Sequence, residues 1–119
     1  MESPYVDVFV MPIAKRRIAT YKKWALLGRT VFLRHGALEY REYVGEDLEP
    51  EFPGVKFPAM AKAKRGETVV TAVIGYKSRA HRDRVMKRAL ADPAMCSADL
   101  GPMPFDPDRM AYGGFTRLV

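Results

Sequence analysis

The sequence predicts an α+β protein of the ferredoxin-like type, β-α-β-β-α-β, with both helices on one face of a four-stranded antiparallel sheet. Apolar residues recur at spacings of three and four over residues 14–34 and 79–90, which indicates two amphipathic helices. β-branched and aromatic residues dominate or alternate over 5–11, 37–45, 67–76 and 109–118, which indicates four strands. The 119 residues suit a single domain spanning 1–119.

The first three elements have clear boundaries. The first strand, YVDVFVM, stops at Pro12. The helix over 14–34 is predicted to bury a stripe of residues in the core, and Gly36 stands in the usual position after a helix end. The stripe consists of Ile18, Tyr21, Ala25, Gly28 and Phe32. In the strand over 37–45, Leu38, Tyr40, Glu42 and Val44 share one face.

The second half of the chain repeats this order after a long connection over 46–66, where we expect a functional loop, an intersubunit arm or a short helical turn. The strand over 67–76 is apolar on both faces and therefore needs cover on both sides. Ser78 is a predicted N-cap of the next helix. In that helix Val85, Met86, Ala89 and Leu90 are predicted to face inward, with His81 on the same stripe. The last strand carries Gly113 and Gly114, which suggest a bulge or a close backbone approach.

The face of the sheet away from the helices is predicted to be apolar. We expect it to carry Tyr5, Phe9, Met11, Val69 and Val73, more contiguous apolar surface than a monomer usually exposes. The simplest cover is the same face of a second subunit, which predicts a two-fold homodimer with facing sheets.

The net charge of +6 is distributed unevenly. Residues 14–34 carry seven basic side chains and no acid, whereas residues 39–51 carry six acids and one arginine. These charges are either solvated helix faces, or a dipolar layout that steers an anionic ligand or pairs two subunits. No apolar run approaches the ~18 residues that span a bilayer, the N-terminus is not that of a signal peptide, and there is one cysteine. We therefore expect a cytoplasmic protein with no membrane contact.

Several stretches together resemble the bacterial YbaA-like family, domain of unknown function 1428. They are HGALEY over 35–40, ETVV over 67–70, YKSRAHRD over 76–83, MPF beginning at Met103, and YGGF over 112–115. The resemblance covers essentially the whole chain. It implies a dimeric α+β barrel, a superfamily that includes cofactor-independent monooxygenases, isomerases, haem enzymes and proteins without a known reaction. It supplies no catalytic residues.

The candidate site is placed between the helices and the sheet. His35 and His81 are the catalytic candidates, because imidazole is the side chain whose pKa lies nearest neutrality. Tyr40 and Tyr76 are predicted to face the helices and to bind a ligand. The predicted ligand contacts also include Trp24 and Arg79. The alternative is that these residues are structural, with histidines bonding helix ends and tyrosines filling the core.

Other chemistries have little support in the sequence. The two histidines lack metal-ligand spacing, and one cysteine cannot form a thiolate cluster, so we expect no metal and no cofactor. Gly113-Gly114 is not followed by a helix, as a phosphate-binding loop requires. The third strand lacks the aromatic pair of RNA-recognition modules, so nucleic acid is not an expected partner.

Two functions remain open. The first is binding of a small aromatic or oxygenated metabolite in a helix–sheet pocket, with cofactor-free oxygenase or isomerase chemistry as an extension. The second is a non-catalytic dimeric module that binds a protein or a nucleic acid through its basic helices. The sequence leaves open whether the protein is an enzyme.

Overall fold

The fold was analysed from a computed structural model, which describes residues 2–119. The four strands are β1 (Tyr5–Ala14), β2 (Glu39–Val44), β3 (Glu67–Tyr76) and β4 (Ala111–Thr116). The helices are α1 (Ile18–Arg34), α2 (Phe57–Met60), α3 (Arg79–Ala91) and α4 (Pro93–Cys96), with 3-10 turns at Lys15–Arg17 and Pro107–Arg109. The strand order is β2-β3-β1-β4 and every neighbouring pair is antiparallel. The predicted ferredoxin-like fold is therefore confirmed.

Local signals in the sequence explain where the helices begin. The Ser78 hydroxyl caps α3 by accepting a hydrogen bond from the backbone N–H of His81 at 3.1 Å. The Asp92 carboxylate caps α4 by accepting one from Ala94 at 2.8 Å, with Pro93 in the first helical position. Within residues 2–119, no helix combines the length and the apolarity needed to cross a membrane.

The core lies between the helices and one face of the sheet, in two clusters. One joins Val31 and Phe32 of α1 to Ile74 and Tyr76 of β3 and Val85 of α3. The other contains Met11, Ile13, Tyr21 and Val70. Tyr21, Gly28, Val31 and Phe32 are the buried residues of α1, as its predicted stripe requires. On α3, Val85 and Ala89 are buried as expected, whereas Leu90 is 58% exposed.

The orientation predicted for β1 is wrong. Tyr5, Phe9 and Met11 face the helices, where Phe9 packs against both core clusters. The outward row of β1 is instead Val6, Val8 and Val10, whose partners on β3 are Gly75, Val73 and Thr71. Apart from Asp7, both rows of β1 are apolar, so the alternation of residues along the strand does not identify the buried row.

Asp7 is buried because α3 supplies its counter-ion. The side chain of Asp7 is fully buried, and its Oδ1 accepts a hydrogen bond from Arg82 Nη1 at 2.7 Å. Arg82 also donates to the Tyr112 hydroxyl and lies over the rings of Tyr5 and Tyr112. Burial raises the pKa of Asp7, and Arg82 opposes that shift. The pair ties α3 to β1 and β4.

A second ion pair fixes the loop that precedes β4. Arg109 donates to both carboxylate oxygens of Glu67, at 2.7 and 2.9 Å, and to Asp106 at 3.1 Å. The bidentate contact with Arg109 lowers the pKa of Glu67 to about 2. The last strand is thereby held at the start of β3.

Candidate functional site

A cleft of about 590 Å³ opens between α1 and β2, the strand at one edge of the sheet. We call it the α1–β2 cleft. Its α1 wall consists of residues at spacings of three and four, which form one stripe: Ile18, Tyr21, Lys22, Ala25, Leu26 and Arg29. Its other wall is residues 40–44 of β2, with Val70 of β3 behind them. The volume lies within the range of small-molecule sites.

A carboxylate held by two phenols forms the polar part of this cleft. The Tyr40 hydroxyl donates to Glu42 Oε2 at 2.8 Å, and the Tyr21 hydroxyl donates to Glu42 Oε1. Tyr21 and Tyr40 come from α1 and β2, so the contact also docks the helix on the edge strand. One carboxylate thus receives two hydrogen bonds from side chains that line the same opening.

The two phenols remain protonated donors at neutral pH. Burial, followed by the negative charge of Glu42, raises the pKa of Tyr40 and of Tyr21 far above its ordinary value. Space for the Tyr40 hydroxyl is provided by Gly28, where a Cβ atom would lie only 2.7 Å from that oxygen. Phe32 packs against the Tyr40 ring with centroids 5.8 Å apart. Gly28, Phe32 and Glu42 therefore fix the position of the Tyr40 side chain.

Of the predicted ligand contacts, Tyr40 lines the cleft, and Trp24 and Tyr76 do not. Trp24 is half-buried on α1, and its indole N–H is buried without a hydrogen-bond partner among residues 2–119. Tyr76 is fully buried in the core, and its hydroxyl likewise has no partner within the described chain. Arg79 is exposed and borders a separate open hollow of about 500 Å³ beside Tyr5.

The two histidines lie at helix ends, outside the lining of the α1–β2 cleft. His35 Nε2 is 2.7 Å from Asp92 Oδ2, which also accepts from Arg34 at 3.1 Å. His81 Nδ1 accepts from the backbone N–H of Lys77 at 2.9 Å, and its ring meets Tyr76 edge-on. Burial and neighbouring cations lower the pKa of His81, so the neutral ring is favoured. The catalytic role of His35 and His81 stays a prediction.

In the part of the chain that the structure describes, no group of three or more His, Cys, Asp or Glu side chains could hold a metal ion. Cys96 is an exposed thiol.

Glu42 and Tyr21 are the site residues that sequence reasoning missed. The alternation of β2 did place Glu42 on the same face as Tyr40, and that acid on a helix-facing row was the available signal. Tyr21 was assigned to the helix stripe, as core. Their contact depends on how α1 docks on β2, which spacing along the chain does not give.

Comparison with known proteins identifies relatives without a described activity. A family model described as "Protein of unknown function (DUF1428)" matches residues 4–107. The chain is 34% identical over 116 residues to the "Uncharacterized protein YbaA" of Escherichia coli strain K12 and of Shigella flexneri, covering 97% of each chain. A solved structure of the de novo designed protein Foldit4 covers 98% of this chain and 100% of its own, with 12% identity and a TM-score of 0.45.

Proposed function

The chain belongs to the DUF1428 family, whose function is unknown, and from its own geometry we propose that the α1–β2 cleft binds a small aromatic or oxygenated metabolite. The observation that carries this proposal is the Glu42 carboxylate, bonded by Tyr21 and Tyr40 inside an opening with apolar walls. Recognition sites of this kind combine apolar walls with a few convergent polar groups. A ligand hydroxyl donates to Glu42, or a ligand carbonyl accepts from one of the two phenols, in place of one phenol–carboxylate hydrogen bond.

The same three groups support proton transfer. Glu42 accepts a proton from the carbon next to a ligand carbonyl, while the Tyr40 hydroxyl donates a hydrogen bond to the carbonyl oxygen as negative charge develops there. Return of that proton to a different atom of the ligand completes an isomerisation with no net gain or loss. Proton abstraction is also a first step open to cofactor-free oxygenase chemistry, so this extension needs no cofactor.

The binding step is tested with matched variants. A panel of small aromatic alcohols, ketones and acids is titrated against the 15N-labelled protein, and backbone shifts are followed. We expect a panel member to shift residues 40–44, and Glu42→Gln and Tyr40→Phe to weaken that binding at least fivefold. Tyr76→Phe removes a buried hydroxyl outside the cleft and leaves the affinity unchanged. Equal losses of affinity in Tyr40→Phe and Tyr76→Phe, or no backbone shift with any compound, contradict the proposal.

The proposal includes a homodimer through the outer face of the sheet. Val6, Val8 and Val10 are only half-buried there, and the same face carries Tyr43 and Phe115, which are 53% and 57% exposed. An apolar face of this kind is stabilised by a self-complementary contact with a second copy. A single domain over 1–119 and a cytoplasmic location belong to the same proposal.

Light scattering tests the assembly. We expect a dimer at micromolar concentration and a folded monomer for Val8→Lys, because lysine at the centre of the contact is left without water or a partner. Thr30→Lys places the same residue on exposed α1 and keeps the dimer. A wild-type monomer refutes the assembly.

A further inference from the structure

The α1–β2 cleft carries more positive than negative charge. Its lining contains the cations Lys22 and Arg29 of α1, Arg41 on the outer row of β2, and the single acid Glu42. Among residues 2–119, none of these three cations forms an ion pair. Both oxygens of Glu42 already accept hydrogen bonds from phenols. Three cations against one carboxylate leave the lining of the cleft with a net positive charge.

The charges and the polar floor occupy different depths. Lys22 and Arg29 are exposed and lie seven residues apart on α1, which is two helical turns, or about 10 Å. Glu42 is partly buried, and so are the apolar residues Ile18 and Ala25 of the same lining. A molecule lying in the cleft meets cations at the mouth, apolar carbon along its length, and the phenol–carboxylate group at the floor.

We propose that the ligand of this cleft is a small carboxylic acid with an aromatic or otherwise apolar body. This inference rests on the proposed function and names its ligand class. The carboxylate lies at the mouth near Lys22 and Arg29, and a hydroxyl or carbonyl at the other end of the ligand reaches Tyr40 and Glu42. The body fills the apolar section between them, because burial of its carbon surface drives binding there. The mouth cations are exposed, so their contribution is modest and weakens with salt.

The test compares acids with their neutral isosteres. Benzoate, 4-hydroxybenzoate and phenylacetate are each titrated beside the corresponding primary amide, at low and at high ionic strength. We expect the acids to bind about fivefold or more tightly than the amides at low salt, the advantage shrinking at high salt. Backbone shifts over residues 40–44 locate the binding in the cleft.

A charge-matched control separates local contacts from the overall field of the protein. Lys22→Gln/Arg29→Gln removes two charges from the cleft and should reduce the preference for acids to less than twofold. Arg16→Gln/Lys23→Gln removes two charges from exposed residues outside the lining and should retain it.

Three results overturn the inference. If the amides bind in the cleft as tightly as the acids, the anionic ligand is wrong while the proposed function stands. If both double variants lose the preference equally, net charge and not the cleft is responsible. If neither acids nor amides shift the cleft residues, the inference and the proposed function both fail.

Discussion

Replacing Gly28 by alanine is expected to destabilise the protein through Tyr40, although alanine favours a helix. Exchange of glycine for alanine within a helix contributes about 0.5–1 kcal/mol of stability by itself. A Cβ atom at Gly28 would lie 2.7 Å from the Tyr40 hydroxyl oxygen and 3.3 Å from the ring carbon that bears it. Because Phe32 packs against the Tyr40 ring, the hydroxyl makes room only by leaving Glu42.

Comparing the lost hydrogen bond with the gain in helix propensity predicts the sign of the stability change. A hydrogen bond to a charged acceptor contributes about 1.5–3 kcal/mol, which exceeds the gain in helix propensity. Gly28→Ala should therefore lower the free energy of unfolding by about 0.5–2.5 kcal/mol, the difference between these two ranges. In a Tyr40→Phe background the hydroxyl oxygen is absent, and the ring needs to move by only a few tenths of an ångström to accommodate the alanine Cβ. Gly28→Ala should then leave the free energy of unfolding unchanged or raise it. The helix-propensity gain is common to both backgrounds and cancels, so the coupling between the two sites is expected to be about 1.5–3 kcal/mol, within the range found for residues in contact.

Urea unfolding followed by circular dichroism measures the four variants of this cycle. Tyr43→Phe is the control background, since Tyr43 is exposed and its removal should leave the effect of Gly28→Ala unchanged. A coupling below about 0.5 kcal/mol, the usual limit of additivity, refutes the reasoning that Gly28 exists to admit the Tyr40 hydroxyl.

Three further outcomes are expected. Glu67 has a pKa lowered to about 2 by Arg109, so its stabilising effect is complete above pH 4.5 and is lost as the pH falls towards 2. Urea titrations should show the deficit of Glu67→Gln shrinking from about 2–3 kcal/mol at pH 6 towards zero at pH 2; a deficit independent of pH contradicts this. Asp7→Leu should lower the free energy of unfolding by about 3 kcal/mol in thermal unfolding, because it removes the buried carboxylate paired with Arg82 and leaves that guanidinium only the exposed carboxylate of Asp83. Adding Arg82→Met should recover most of the loss; no recovery argues against a charge effect. We expect no RNA or DNA binding at physiological salt, and a saturable gel shift below micromolar protein that weakens with salt would favour the basic helices as the binding surface.

Periodicity predicted most of the fold because the elements differ in how their apolar residues repeat. The prediction for β3 coincides with the observed Glu67–Tyr76, a run with apolar residues on both faces. The sequence-based prediction is wrong where one sequence pattern is compatible with two structures. Pro12 was predicted to end β1, yet the strand continues to Ala14, because β4 pairs only with residues 5–10 and a proline is tolerated where one side of a strand is open.

The candidate site was less predictable because its contacts join distant parts of the chain. Tyr40 was found because its strand alternates clearly. Its partner Tyr21 lies on a different element, and the pairing appears only once α1 is docked. His35 was correctly placed at the end of α1, but its contact with Asp92, 57 residues later, depends on the position of α4.

The α1–β2 cleft lies at the margin of the sheet, so residues at its mouth can be substituted with little effect on folding stability. Lys22, Leu26, Arg29 and Arg41 are exposed, and substitutions at such positions usually change stability by no more than about 0.5 kcal/mol. Tyr21, in contrast, belongs to a core cluster as well as to the cleft. For the binding proposed above, ligand preference could therefore change through substitutions at the mouth while the residues of the floor stay constant. Such a change would pass through no unstable intermediate.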